Sequence, residues 1–175
     1  MVSIGGSRSV AILGQRGRLY PRIGPDRMHS SLAASYRSPG KPPVFLINLH
    51  ADPYSAQRRN VLIGRATEVL MSQFPEHLKI LAGDLNLDSD IDKRRDLFSD
   101  DEYLDVETYN YIAQYLSDVT LNTGSTAEPD RRLDYIFADY KRLKVIHSGP
   151  WKGKRVADMD HDPVVADLQI EKKPK

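Results

Sequence analysis

The order in which apolar runs and helical periodicity alternate constrains this chain more than any single residue does. Val44 to Leu49 is apolar except for Asn48, the pattern of a strand buried on both faces. From about Ala56 to Phe74, the residues Val61, Leu62, Ala66, Val69, Leu70 and Phe74 recur at helical spacing until Pro75 stops the pattern. Leu78 to Ala82 reads as a second buried strand, and Asp134 to Ala138 and Leu143 to His147 as two more, separated by the turn-like Asp139-Tyr140-Lys141-Arg142. Pro163 to Ile170 is the last strand. This order implies an α/β layered fold with a mixed sheet. The expected core includes Val44, Leu46, Val61, Leu62, Ile80, Ile136 and Val164. At 175 residues, 1–175 is expected to be a single domain with frayed tails at 1–8 and 171–175. Ser9 to Leu13 reads as a short buried strand. Gly14 to Pro43 reads as a long loop holding a strand near Ser31 to Tyr36, and Asp88 to Asp118 as a loop with a short helix around Tyr109 to Leu116.

Composition excludes several function classes. No apolar run approaches the ~20 residues of a membrane span, and the stretch Val10 to Leu13 is too short for a signal-peptide core. With 0 cysteines there are no disulfides, thiolate zinc sites or cysteine nucleophiles. The cytoplasm is the default compartment. A net charge of +1 hides local asymmetry. Arg8, Arg16, Arg18, Arg22, Arg27, Arg37 and Lys41 face only Asp26 in the first 41 residues, and Arg131 to Arg155 is again basic. Such segments suit a polyanion such as nucleic acid or, equally, a solvated surface.

Four polar clusters stand at the edges of the apolar runs: Asn48-Leu49-His50, Gly83-Asp84-Leu85-Asn86, Arg132-Leu133-Asp134-Tyr135 and Asp158-Met159-Asp160-His161-Asp162-Pro163. A Gly-Asp-x-Asn alone is an ordinary turn. Together the clusters supply imidazoles, carboxylates and an amide, the groups that metal-assisted phosphoester hydrolysis needs: a cation for the phosphoryl oxygens, a base for water and an acid for the leaving oxygen. Asp84, Asn86 and Asp160 offer oxygen ligands, which suit Mg²⁺ or Mn²⁺. A catalytic imidazole needs a partner to fix its tautomer, and Asp134 is the natural one for His161. His50 is a second imidazole, available to hold or protonate a phosphate oxygen. His29, His77 and His147 read as structural. Asp88, Asp90 and Asp92 alternate like cation ligands, but no EF-hand glycine and glutamate follow, so they read as a solvated loop.

In order and type, these clusters, with Ile136-Phe137 and Val164 extending the last two, resemble the C-terminal motifs of the endonuclease/exonuclease/phosphatase superfamily, over roughly Ser9 to Ile170. The resemblance implies a partial two-sheet αββα sandwich of the deoxyribonuclease-like type and Mg²⁺-dependent phosphoester cleavage, most simply by a nuclease-like phosphodiesterase. It assigns phosphate or metal contact to Asp84 and Asn86, metal binding to Asp160, imidazole catalysis to His161 oriented by Asp134, and phosphate contact to His50. Family members also begin with a strand ending in an Asn and a unit carrying a metal-binding Glu, for which nothing upstream of Ser9 has a counterpart. The chain is therefore expected to be the C-terminal portion of such a domain, with N-terminal strands missing and turnover impaired. Self-association, or the missing half supplied by another chain, would cover the exposed sheet. The alternative function is a non-catalytic module that keeps the fold and binds phosphate or a partner.

Overall fold

A computed structural model of the chain describes residues 2–4, 10–12, 18–22, 30–87, 89, 100–122, 124–127, 130–151 and 159–171. His29, Asp88, Asp90, Asp92, the basic residues Arg8, Arg16, Arg27, Lys152, Lys154 and Arg155, and the tail 172–175 lie outside the described residues. Among the described residues, ten strands and two helices follow in order: β1 Val2–Ile4, β2 Val10–Ile12, β3 Arg18–Arg22, β4 Ser31–Arg37, β5 Val44–His50, α1 Ala56–Ser72, β6 Leu78–Asp84, α2 Glu102–Ala113, β7 Ser117–Asp118, β8 Asp134–Ala138, β9 Leu143–Pro150 and β10 Val164–Ile170. The architecture is α/β with a mixed sheet, as the pattern of runs predicts. Six strands pair in the order β3-β4-β5-β6-β8-β7, while β1-β2 and β9-β10 form separate two-stranded sheets. The β5–β6 pair is parallel, which requires a crossover, and α1 supplies it.

Helix α1 starts where Ser55 Oγ accepts the Arg58 N–H and Asp52 accepts the Tyr54 and Ser55 N–H groups. Its inward stripe is Ala56, Arg59, Ile63, Ala66, Thr67 and Leu70. That stripe packs on Phe45, Ile47, Leu49, Leu81, Tyr135 and Phe137, which point to one face of the six-stranded sheet. Strand β5 is therefore fully buried on this face only. On its opposite face, Val44 and Leu46 are half-buried, and so are Ile80, Ile136 and Val164. There β10 contributes Ala166, Leu168 and Ile170, which pack with Val44, Ile80 and Ile136 around Leu78, Val119, Ala138 and Leu143.

Several expectations need correction. Val61 is 40% exposed on the outer side of α1 rather than in the core. Residues 1–8 hold β1, paired with β2, and the loop expected from Gly14 to Pro43 holds β3 as well as β4. Helix α2 begins at Glu102 rather than near Tyr109. Its buried positions include Asp105, Thr108 and Ile112, and two of these three are polar, so the apolar periodicity that marks a helix is absent there. The polar positions have partners on α1: Asp105 holds Arg59 at 2.8 Å and Thr108 accepts from Asn60 Nδ2. Among the described residues, no helix is long and apolar enough to cross a membrane.

Candidate active site

Register across three adjacent strands builds the site. His50 of β5 lies opposite Asp84 of β6, and Asp84 lies opposite Asp134 of β8. Three functional groups separated by dozens of residues in sequence therefore stand in one row at the strand ends. The preceding row on the same face is Asn48, Ala82 and Ile136, since alternate residues share a face. These residues floor an open cleft of ≈ 360 Å³, walled by Met159, His161, Asp162, Pro163 and Val164, which lead into β10.

Gly83 is required where it stands. Its φ is +130°, and a Cβ there would lie 2.0 Å from the Leu49 carbonyl oxygen and 2.7 Å from Asn48 Oδ1. The close approach of β6 to β5 brings Asp84 beside His50, with 3.6 Å between His50 Nε2 and Asp84 Oδ2. Asp84 Oδ1 accepts the Asn86 N–H, its carbonyl oxygen accepts the Ala51 N–H, and Asn86 Nδ2 donates to the Ala51 carbonyl. Asn86 has a φ of +49°, a left-handed conformation that asparagine tolerates better than most residues. Burial and then the neighbouring Asp134 charge push the Asp84 carboxyl up to about 6, with partial relief from His161 and Arg131.

His161 Nδ1 lies 2.8 Å from Asp134 Oδ2, so the ring donates to the carboxylate and Nε2 remains for other chemistry. That hydrogen bond raises the His161 imidazole to about 8 against the opposing effect of burial. One ligand atom from each of Asp84, Asp134 and His161 lies within 4.8 Å of the others. Asp160 Oδ1 is 3.9 Å from His161 Nε2, and its side chain is 81% exposed.

All six residues singled out in the sequence, His50, Asp84, Asn86, Asp134, Asp160 and His161, are thus joined by short contacts at one end of the sheet. Ala82, Ile136 and Asp162 also line the cleft, and the sequence alone assigns none of them a role. Asp162 is in the quoted motif, whereas Ala82 and Ile136 carry no chemical signal and are recognisable only from strand register.

The family profile described as Endonuclease/Exonuclease/phosphatase family matches residues 9–155. A comparison with curated proteins finds no match. Among solved structures, the chain is similar to a conserved protein of unknown function from Enterococcus faecalis V583, with 18% identity and a TM-score of 0.62, covering 81% of this chain and 56% of that one. It is also similar to a mannosyl-6-phosphatase from Bacteroides thetaiotaomicron, with 18% identity, a TM-score of 0.58, and coverage of 80% and 57%. The endonuclease domain of TRAS1, a telomere-specific non-LTR retrotransposon, has 15% identity and a TM-score of 0.67, with coverage of 94% and 72%. The chain spans little more than half the length of the first two, and identities this low speak to the fold alone. A profile match over most of the sequence and a shared fold, with the motifs gathered at one end of the sheet, lead to one assignment: this chain belongs to the endonuclease/exonuclease/phosphatase family.

Proposed function

We propose that the chain is a divalent-metal-dependent phosphoester hydrolase, acting as a nuclease-like phosphodiesterase. The observation that carries this reading is the gathering of Asp84, Asp134 and His161 within 4.8 Å at the strand ends. Two carboxylates beside each other in a half-buried site are costly without a cation, and the raised Asp84 carboxyl reports that cost. The paired carboxylates therefore fit a hard cation such as Mg²⁺ or Mn²⁺ at Asp84, and the family resemblance would add Asn86 and Asp160 as its oxygen ligands. When bound, the cation would neutralise phosphoryl oxygens and lower the pKa of a bound water.

The side chains supply the rest. His161 Nε2, with the ring oriented by Asp134, takes the proton of the attacking water. His50, 34% exposed beside Asp84, holds or protonates a phosphoryl oxygen. Arg131, whose charge is felt at Asp84, adds positive potential near the row of carboxylates. A diester of nucleic-acid type is favoured over a monoester by the basic segments 1–41 and 131–155.

The test is Mg²⁺-dependent hydrolysis of plasmid DNA, of a generic phosphodiester and of a sugar phosphomonoester. Hydrolysis of the diesters is expected, lost with EDTA. Asp134→Asn should reduce it by on the order of 10²–10⁴-fold, because an amide preserves packing but neither fixes the tautomer nor stabilises the imidazolium. Equal activity in that variant would remove the pair from the mechanism. A second reading, a phosphate-binding module without turnover, is favoured by the 81% exposure of Asp160, which leaves it outside the compact trio. Phosphate binding without hydrolysis of any of the three esters would select that reading.

A further inference from the structure

Between Val119 and Arg131, one residue, through its side chain and its backbone, is bonded to the segments that carry both members of the Asp134–His161 pair. Thr126 is fully buried, with 0% exposure. Its hydroxyl oxygen accepts the backbone N–H groups of Leu133 at 3.0 Å and Asp134 at 3.1 Å. Its carbonyl oxygen accepts the Asp162 N–H at 2.8 Å, and its own N–H donates to the Arg131 carbonyl at 2.8 Å. The next residue, Ala127, bridges to both Arg131 and His161. A single residue is thus bonded to the start of β8, which carries Asp134, and to the segment that carries His161.

We propose that Thr126 is a positioning residue for the Asp134–His161 pair, its hydroxyl and carbonyl oxygens setting the separation of the two segments. The Leu133 and Asp134 amides lie where β8 begins, and buried amides need acceptors. Without the hydroxyl they must shift to find others, and the Asp134 carboxylate moves with them. The Leu133 carbonyl also accepts the Leu85 N–H at 3.0 Å, so the same shift reaches the segment after Asp84. Thr126 does not line the cleft, so it acts only through these bonds. The inference rests on the reading of Asp134 and His161 as the working pair, and its test includes a signal independent of turnover.

Thr126→Val keeps the branched shape and removes the acceptor, while Thr126→Ser keeps the acceptor. In metal-free wild-type protein, the Nδ1–H of His161 should give a downfield proton resonance, assigned by its loss in His161→Gln. The resonance should vanish or broaden in Thr126→Val and return in Thr126→Ser. In the hydrolysis assay, kcat should fall about 10–100-fold in Thr126→Val with KM within about twofold, since misplacement of a catalytic group costs turnover rather than binding, and the serine variant should recover it. Retention of resonance and kcat in Thr126→Val overturns the proposal, as does their loss in Thr126→Ser or a wild-type protein lacking the resonance. If Thr126→Val does not fold, amide exchange in wild-type protein decides. Leu133, Asp134 and Asp162 exchanging as one protected set supports the proposal, and independent exchange overturns it. A wild-type protein that shows the resonance but hydrolyses nothing refutes the functional reading and leaves the positioning role standing.

Discussion

Asp84 and His161 respond to pH in separate windows. The Asp84 carboxyl is pushed from an ordinary 3.8 to about 6 by burial and by Asp134, so folding favours its protonated form. Its contribution to stability is full below about pH 4 and lost as pH rises through about 6. His161 is raised from 6.5 to about 8 by its bond to Asp134, so its contribution is full below about pH 6.5 and lost as pH rises through about 8. Replacing Asp84 by Asn should therefore stabilise metal-free protein at pH 7 by on the order of 1–2 kcal/mol. It should also flatten the stability profile between pH 4 and 6. Urea denaturation from pH 4 to pH 7 measures both effects. Millimolar Mg²⁺ should raise the melting temperature of wild type and leave Asp84→Asn unmoved, because only a ligand bound to the folded state stabilises it. A variant less stable than wild type at pH 7 would mean that Asp84 is not strained by its neighbours.

The contact between α1 and α2 is polar at its centre. Arg59, 0% exposed, donates through Nε and Nη2 to both oxygens of Asp105 at 2.9 and 2.8 Å, and through Nη1 to the Asp52 carbonyl. A bidentate pair of this kind has its charges matched only while both partners are present. Asp105→Asn is expected to cost about 3–5 kcal/mol in urea unfolding, since it leaves a buried guanidinium without its counter-charge. The apolar pair R59M/D105L should recover most of that loss. A single variant that unfolds like wild type would show that solvent reaches the guanidinium. The same chemistry explains why α2 is hard to read from sequence. Strands β5, β6 and β8 each bury apolar residues and declare themselves by composition, whereas α2 turns Asp105 and Thr108 inward.

At the scale of the whole molecule, the two faces of the six-stranded sheet are covered unequally. The helical face is closed over Phe45, Ile47, Leu49, Leu81 and Phe137, all buried. The opposite face carries the pair β9-β10, and Val44, Leu46, Ile80, Ile136 and Val164 there are only half-buried. Among the described residues, β10 pairs with β9 alone, and Val165 on it is 38% exposed. Self-association through this face is the expected outcome in light scattering behind size exclusion, weakened by Val165→Lys. A stable monomer at high concentration would mean that the chain closes this face by itself.

The sequence by itself determined which stretches become β5, α1, β6, β8, β9 and β10, because hydrophobic period and helix-stop chemistry are local properties of the chain. It also determined the chemistry available, since His50, Asp84, Asn86, Asp134, Asp160 and His161 are recognisable by type and by their place at the ends of apolar runs. Tertiary structure decided that they meet. The parallel pairing of β5 with β6 and the antiparallel pairing of β6 with β8 align His50, Asp84 and Asp134 in one row, and a one-residue slip in either register would turn a carboxylate to the helical face. Tertiary structure also made Arg59 and Thr126 structural anchors. Neither has a local signal, because what defines each is a set of partners on segments distant in sequence or on other elements, which burial alone brings within hydrogen-bond reach.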